Sequence, residues 1–188
     1  MRYTAPMTIT MLPNLITGAR IGLSVLVFAL LALAPLTGAP KVWIGLATAL
    51  FVLAALTDFF DGWLARRLDA TSRLGAVLDP IADKVALVAA AFGVCALDPS
   101  LALWPSALML MREVFVAGLR ESGVKLPVTQ LAKWKTTVQL SAYGLAMASQ
   151  IWPDLRPLGL GTLWLAVVLT LWTGGQYLAG ALRALKSS

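Results

Sequence analysis

The sequence predicts an all-α integral membrane protein, because its composition is strongly apolar and its uncharged runs are long. Of the 188 residues, 59% are hydrophobic and 13% are charged, whereas about a quarter of the residues in soluble domains are charged. Three stretches of 20, 18 and 26 residues carry no charge, namely 21–40, 136–153 and 157–182. A helix needs about 20 apolar residues to cross a bilayer. We therefore expect the chain to be embedded in a membrane.

Turn signals divide the apolar sequence into six segments, each of a length suited to a transmembrane helix. The breaks lie at Pro35–Pro40, at Asp98-Pro99-Ser100 and at Pro153–Pro157, because proline cannot continue the hydrogen-bond ladder of a helix. A polar stretch at 67–73 separates the second segment from the third. The expected spans are 15–34, 42–66, 74–97, 101–120, 132–152 and 158–182.

The first fourteen residues are expected to lie outside the spans. We interpret residues 1–14 as a short interfacial segment, in which Pro13-Asn14 turns the chain into the membrane. The six following helices are expected to form one bundle over residues 15–183, so that the whole chain, 1–188, is a single domain.

The basic residues predict which side of the membrane the termini face. With six spans both termini share one side, and that side carries thirteen of the fifteen Lys and Arg residues, all except Lys41 and Arg156. Cytoplasmic loops are enriched in Lys and Arg, so we expect both termini to be cytoplasmic, in the inner (cytoplasmic) membrane of the cell. The formal charge of +6 then faces anionic lipid, and we expect no nucleic-acid partner.

The rare residue types exclude several kinds of chemistry. The chain has no His, and its single Cys, Cys95, cannot form an internal disulfide. A His-based nucleophile relay and a His-ligated metal site are therefore excluded. Carboxylates, hydroxyls, Lys and Arg remain for catalysis, together with any metal ion that carboxylates can hold.

Four aspartates at helical spacing form the most informative pattern. Asp58 and Asp61 are three residues apart and Asp79 and Asp83 four apart, so each pair shares one helix face. If the inner halves of the second and third spans are antiparallel neighbours, the four carboxylates meet. Their repulsion would be relieved by protonation or by a divalent cation, and oxygen ligands favour Mg²⁺, Mn²⁺ or Ca²⁺. Such an ion in turn favours a phosphate-bearing ligand.

Neighbouring residues are compatible with a nucleotide beside these carboxylates. Gly62 and Gly75 lack side chains where a nucleotide would approach the helices, and Arg66 lies within reach of a bound phosphate. Taken singly, each glycine could equally serve close helix packing, and the arginine could extend to the membrane surface.

The pattern Asp58-x2-Asp61-Gly62-x2-Ala65-Arg66-x8-Gly75-x3-Asp79-x3-Asp83 resembles the signature of the CDP-alcohol phosphatidyltransferases. The resemblance implies six transmembrane helices, a homodimer among membrane lipids, one or two Mg²⁺ or Mn²⁺ ions, and CDP-diacylglycerol as the donor substrate. It also implies site residues: Asp58, Asp61 and Asp79 as metal ligands, Asp83 near the metal as general base, and Gly62, Ala65, Arg66 and Gly75 along the CDP site.

A second group of residues, Arg112, Arg120, Lys133 and Lys135, is predicted to bind the acceptor. Arg112 and Arg120 are eight residues apart, about 80° around a helix, so they can flank one groove. Together the four cations would form an anion pocket for an acceptor that carries its own phosphate. Routine anchoring at the membrane surface is the alternative interpretation for each cation taken alone.

The sequence around these cations is similar to the branch of the family whose acceptor is glycerol 3-phosphate. The tail Gly174-Gly175-Gln176-Tyr177 approximates that family's Ser-Gly-x-x-Tyr, and Ala132 replaces a glycine. Two alternatives stay open at this point. One is the cardiolipin synthase branch of the same family, whose acceptor is phosphatidylglycerol, and the other is a divalent-cation transporter that uses the aspartates as its pathway.

Overall fold

The structure, a computed structural model, describes residues 7–68, 73–121 and 130–186, with the backbone alone at 7–16, 58–68, 73–76, 130–133 and 184–186. The described part of the chain consists of helices joined by short turns and contains no strand, which confirms the all-α part of the predicted fold class. Its long helices are α1 (Met7–Leu33), α2 (Pro40–Leu68), α3 (Arg73–Leu97), α4 (Pro99–Glu121), α5 (Gln130–Ser149) and α6 (Arg156–Lys186). One-turn 3-10 helices, Ala34–Leu36 and Pro153–Leu155, precede α2 and α6.

Five of these helices are long and apolar enough to cross a membrane. The qualifying segments are Thr17–Leu36, Pro40–Thr57, Val77–Leu97, Pro99–Glu121 and Pro153–Arg183. Their outward faces expose large apolar side chains, among them Leu36, Trp104 and Val114, as expected for helices surrounded by lipid tails. Over its described residues α5 is not among the qualifying helices, and Lys133 and Lys135 lie in its first two turns. The sixth span therefore stays a prediction.

The N-terminal segment differs from the prediction. The structure has no turn at Pro13-Asn14, because α1 is one continuous helix from Met7 to Leu33. Proline removes only one backbone hydrogen bond from a helix, and membrane helices tolerate that loss. Pro80 within α3 and Pro105 within α4 are tolerated in the same way. The predicted turn at Pro13-Asn14 is therefore wrong, while the interfacial location of residues 1–14 stays a prediction.

The chain divides into two compact units, Met1–Gly93 and Val94–Ser188, whose boundary falls inside α3. In the first unit α1 packs against α2, and its buried side chains include Val27, Leu31, Ala47 and Phe51. The single domain over 1–188 stays a prediction.

In the second unit α6 packs against both α4 and α5. The buried side chains include Leu101, Met109, Met147 and Leu163. Helix association in lipid depends on close van der Waals packing and on interhelical hydrogen bonds. Both occur here, since Tyr143 Oη donates to the Oγ of a buried serine in α4, Ser106, at 2.9 Å.

An ion pair ties the α3–α4 turn to the start of α6 within the second unit. Asp98 Oδ1 caps α4 by accepting hydrogen bonds from Ser100 Oγ (2.6 Å) and from the backbone N–H of Leu101 (3.1 Å), while Asp98 Oδ2 pairs with Arg156. Burial alone would raise the pKa of Asp98, but the hydrogen bonds from Arg156, Ser100 and Leu101 outweigh it and lower the pKa from 3.8 to about 2.

Candidate active site

Two of the four predicted aspartates lie together on α3 and face α1. Thr17 Oγ1 donates a 2.9 Å hydrogen bond to Asp79 Oδ1. Arg20 Nη2 lies 3.8 Å from Asp79 Oδ1 and also 3.8 Å from Asp83 Oδ1. The α1 hydroxyl and guanidinium therefore orient both carboxylates, and the positive charge between them reduces their mutual repulsion.

Arg20 is buried, whereas the two aspartates that it contacts are exposed to solvent. The Arg20 side chain is only 9% exposed, whereas those of Asp79 and Asp83 are 61% and 46% exposed. A buried cation thus contacts two carboxylates that are themselves accessible to a ligand. Neither Thr17 nor Arg20 was assigned to the site from the sequence alone. The signal that could have found them is a hydroxyl and a cation three residues apart within a long apolar run.

The remaining predicted residues of this site lie where the structure describes the backbone alone. Asp58, Asp61, Gly62, Ala65 and Arg66 fall within α2, whose helical backbone continues to Leu68, and Gly75 falls within α3. Their side chains lie outside the described residues. The helical backbone preserves the three-residue and four-residue spacings on which the prediction depends.

A metal site can be tested only on the two described carboxylates. Among the residues whose side chains are described, no three acidic, His or Cys groups converge. Asp79 and Asp83 nevertheless offer carboxylate oxygens from adjacent turns of one helix face, and hard divalent cations prefer such oxygens. The donor set therefore fits Mg²⁺ or Mn²⁺, with any further ligands to come from outside the described part.

The second unit holds a buried, predominantly cationic cluster between α4, α5 and α6. Arg112 is 7% exposed; its Nη2 donates to Thr173 Oγ1 at 2.8 Å and its Nη1 to Glu113 Oε1 at 3.1 Å. Lys135 from α5 pairs with the same Glu113 oxygen. One carboxylate thus connects a guanidinium and an ammonium that come from different helices. A charge buried at this depth requires such a partner.

Arg120 joins the cluster through an aromatic ring. Its Nη2 donates to Tyr177 Oη at 3.0 Å, and its Cζ lies 5.2 Å from the ring centroid of Tyr177. The Cζ of Arg112 lies 5.7 Å from the same centroid. Tyr177 is buried and contacts both arginines, which are two helical turns apart on α4. Both guanidinium groups therefore lie within cation–π distance of the same aromatic ring.

Gly174 lets the Arg112 side chain pass close to α6. A Cβ at this position would lie 3.0 Å from Arg112 Cγ and 3.2 Å from Arg112 Nε, tighter than ordinary van der Waals contact. Thr173, Gly174 and Tyr177 all contact Arg112. The five-residue pattern hydroxyl-Gly-x-x-Tyr therefore begins at Thr173 and ends at Tyr177. The sequence-based prediction began it one residue later, at Gly174.

Two buried polar atoms of this unit have no hydrogen-bond partner within the described part of the chain. They are Arg112 Nε and Gln139 Oε1. Gln139 lies one helical turn after Lys135 on α5, and its Nε2 donates to Thr170 Oγ1 at 2.9 Å. An unsatisfied buried polar group costs about 1–3 kcal/mol. The cluster therefore retains hydrogen-bonding capacity for a ligand.

Of the four predicted acceptor residues, the structure brings three into one cluster. Arg112 and Lys135 share Glu113, and Arg120 joins them through Tyr177. The side chain of Lys133 lies outside the described residues. That these residues bind an acceptor stays a prediction.

Residues 10–172 match the sequence model of the CDP-alcohol phosphatidyltransferase family. The chain belongs to the CDP-alcohol phosphatidyltransferase family. This membership confirms the resemblance seen in the aspartate pattern and identifies the chain as one of a family of membrane-bound transferases.

Curated family members of similar sequence carry one enzyme name, CDP-diacylglycerol–glycerol-3-phosphate 3-phosphatidyltransferase. The protein of this name from Cereibacter sphaeroides is 40% identical over 184 residues, which cover 74% of this chain and 83% of the relative. The Sodalis glossinidius protein is 42% identical over 155 residues, and the Escherichia coli protein is 41% identical over 153 residues. Both of these alignments cover 76% of this chain and 82% of the relative.

Proposed function

We propose that this family member transfers the phosphatidyl group of CDP-diacylglycerol to glycerol 3-phosphate, giving phosphatidylglycerophosphate and CMP. Its curated relatives carry the name of this reaction. The observation that carries the choice of acceptor is the buried cluster around Arg112. Two buried cationic side chains there, Arg112 and Lys135, share a single carboxylate, Glu113, and the exposed Arg120 joins them through Tyr177.

An acceptor with a terminal phosphate suits this charge balance. Glycerol 3-phosphate carries close to two negative charges at neutral pH, which would compensate the cationic excess of the cluster. Arg112 Nε is buried and has no partner among the described residues, so its N–H can donate a hydrogen bond to a phosphate oxygen. Phosphatidylglycerol, the acceptor of cardiolipin synthases, offers only a phosphodiester with one negative charge, so it would leave more of the cluster uncompensated.

Asp83 is the proposed general base. Its half-exposed carboxylate, close to Arg20, would take the proton from the attacking hydroxyl of the acceptor. The hydroxyl oxygen would form a bond to the lipid-linked phosphorus while the bond from that phosphorus to the CMP oxygen breaks, in one in-line step. Thr17 and Arg20 would keep the carboxylates oriented, since Thr17 contacts Asp79 and Arg20 contacts both aspartates from α1.

The donor side of the site is proposed from the signature residues. Asp58, Asp61, Asp79 and Asp83 would hold one or two Mg²⁺ or Mn²⁺ ions, and the carboxylate donor set on α3 supports this. When bound, the ions would neutralise the charge of the CDP pyrophosphate. The CDP group would lie along Gly62, Ala65, Arg66 and Gly75.

The setting in the membrane is proposed from the helices and the basic residues. We place six spans in the inner membrane, with both termini and the active site on the cytoplasmic side, where the soluble glycerol 3-phosphate is available. The exposed apolar faces of the described helices support a multi-pass arrangement. We expect the chain to act as a homodimer.

An acceptor assay with two variants tests this function. Purified protein is given CDP-diacylglycerol, Mg²⁺ and labelled glycerol 3-phosphate, and phosphatidylglycerophosphate is measured. We expect Asp83→Asn to lower kcat by about 10²–10⁴-fold, because it removes the base. We expect Arg112→Ala to raise the KM for glycerol 3-phosphate about 10- to 100-fold, because charge-assisted hydrogen bonds contribute about 1.5–3 kcal/mol.

A charge-matched control isolates the Arg112 effect. Arg183 is an exposed arginine on α6, so Arg183→Ala removes the same charge without touching the cluster and should leave the KM unchanged. The absence of labelled product from the wild-type protein would contradict the proposed acceptor. Product from phosphatidylglycerol instead would assign the chain to the cardiolipin synthase branch.

A further inference from the structure

We propose that a groove between α1 and α3 binds one acyl chain of the lipid-linked donor, an inference that rests on the donor class of the proposed function. The groove lies within the first unit, is open along one side and has a volume of about 410 Å³. Val25 and Phe28 line it from α1, and Ile81, Val88 and Phe92 line it from α3. Almost all of its surface is apolar, which suits a hydrocarbon chain better than a headgroup or a peptide backbone.

One end of the groove lies at the same level along α3 as Asp83. Ile81 and Lys84 line the groove and flank Asp83 in the sequence of α3. From Ile81 to Phe92 the lining extends eleven residues, about 16 Å along the helix axis. The hydrocarbon core of one leaflet is about 15 Å thick. A chain that fills the groove would therefore have the reach of one acyl tail, with its headgroup end at the level of Asp83 along α3.

Lys84 supplies a charge at the same end. The residue is exposed and lines the groove, and a lysine can lay its aliphatic stem along apolar surface while its ammonium stays among polar groups. CDP-diacylglycerol carries its pyrophosphate where its acyl tails begin. Charge complementarity between that anion and Lys84 favours an anionic lipid as the occupant over the apolar helix of a second copy of the chain.

Photolabelling tests the location of the chain directly. Wild-type protein is irradiated with CDP-diacylglycerol that carries a diazirine near the end of one acyl chain, in the absence of any acceptor, and the labelled peptides are identified by mass spectrometry. We expect label on residues 85–92 of α3 or 25–28 of α1, which unlabelled CDP-diacylglycerol should displace. Label that is confined to other helices, or that does not compete, would overturn the proposal.

A steric variant gives a second readout. Val88→Trp fills the groove from a side chain that is 40% exposed, so the fold should tolerate it, and Val52→Trp on α2, at 44% exposed, is the matched control. We expect Val88→Trp to raise the KM for a dioleoyl donor at least about fivefold. A dioctanoyl donor, kcat and the KM for glycerol 3-phosphate should be little changed, because the short chains end before Val88.

The two readouts separate this inference from the proposed function. If the wild-type protein labels in the groove but forms no product from glycerol 3-phosphate, the acceptor proposal fails and the groove stands. If product forms while Val88→Trp affects both donors equally or neither, the groove proposal fails. A Val88→Trp protein that loses its dimer but keeps its donor KM would assign the groove to a second copy and overturn the inference.

Discussion

At the scale of single residues, Arg112 is the side chain whose surroundings the structure defines best. Thr173 and Glu113 each accept a hydrogen bond from one of its terminal nitrogens, and Gly174 leaves room for its aliphatic stem. Both ends of the side chain are therefore fixed, and the guanidinium has little freedom to move away from an added group on α6.

A single methyl group tests this arrangement. In Gly174→Ala the new Cβ would meet Arg112 Cγ at 3.0 Å, whereas a Cβ at Gly175 would meet nothing within 4 Å. We expect Gly174→Ala to raise the KM for glycerol 3-phosphate about 3- to 10-fold with kcat little changed, since the Arg112 side chain must shift to relieve the overlap.

Gly175→Ala is the control, because it makes the same change in helix propensity on the neighbouring position. Initial rates of both variants over a range of acceptor concentrations provide the measurement. Equal KM values for the two variants would contradict a positioning role for Gly174.

The spacing of the aspartates predicted Asp79 and Asp83 as a pair on one helix face, and the structure agrees. Arg20, Thr173 and Tyr177 were not assigned to a site, because their roles depend on which helices pack together. A local pattern of apolar and polar residues does not contain that information. The basic residues of α4 and α5 were recognised as a group because charges are rare within membrane helices.

At the scale of elements, helix ends were predictable wherever proline and a polar residue coincide. Asp98-Pro99-Ser100 predicted the break between α3 and α4, and the helices end at Leu97 and begin at Pro99. Pro13, by contrast, lies within α1. The difference is that Asp98 caps the new helix with its side chain, so cap and proline together mark the boundary.

The Asp98–Arg156 pair predicts a pH dependence of stability. Because folding lowers the pKa of Asp98 from 3.8 to about 2, its contribution is complete above pH 4 and is lost as the pH falls from about 4 to about 2. Arg156 is half exposed, so the contribution should be about 1 kcal/mol. We expect Asp98→Asn to lower the Tm at pH 7 by about 2–4 °C.

Thermal unfolding in detergent, followed by tryptophan fluorescence, measures this difference across the pH range. The gap between wild type and Asp98→Asn should close by about pH 2. Asp154→Asn, at an exposed carboxylate of the turn before α6, serves as the control and should behave as the wild type. A gap that persists unchanged at low pH would contradict the ionic origin.

At the scale of the whole molecule, composition was sufficient for the membrane class but not for the number of spans. The uncharged runs 21–40 and 157–182 fall in helices that meet the length and hydropathy of a span, whereas the run 136–153 falls largely in α5, which combines lysines with apolar residues and does not qualify over its described residues. Charge bias predicts topology statistically, so the direction of each helix requires a separate measurement.

Cysteine accessibility provides that measurement, because Cys95 is the sole cysteine of the chain and can be replaced by serine. We expect a membrane-impermeant maleimide to label Lys41→Cys and Gln150→Cys on intact cells. Glu121→Cys and Arg183→Cys should react only after permeabilisation. Labelling of Gln150→Cys on the same side as Glu121→Cys would show that α5 does not cross.

Glu113 has a consequence for the cationic cluster when no acceptor is bound. The Glu113 carboxylate pairs with Arg112 and Lys135, so it occupies cations that the acceptor phosphate is proposed to bind. The phosphate of an acceptor would then have to compete with the Glu113 carboxylate for the same cations. That competition would disfavour singly charged ligands more than doubly charged ones.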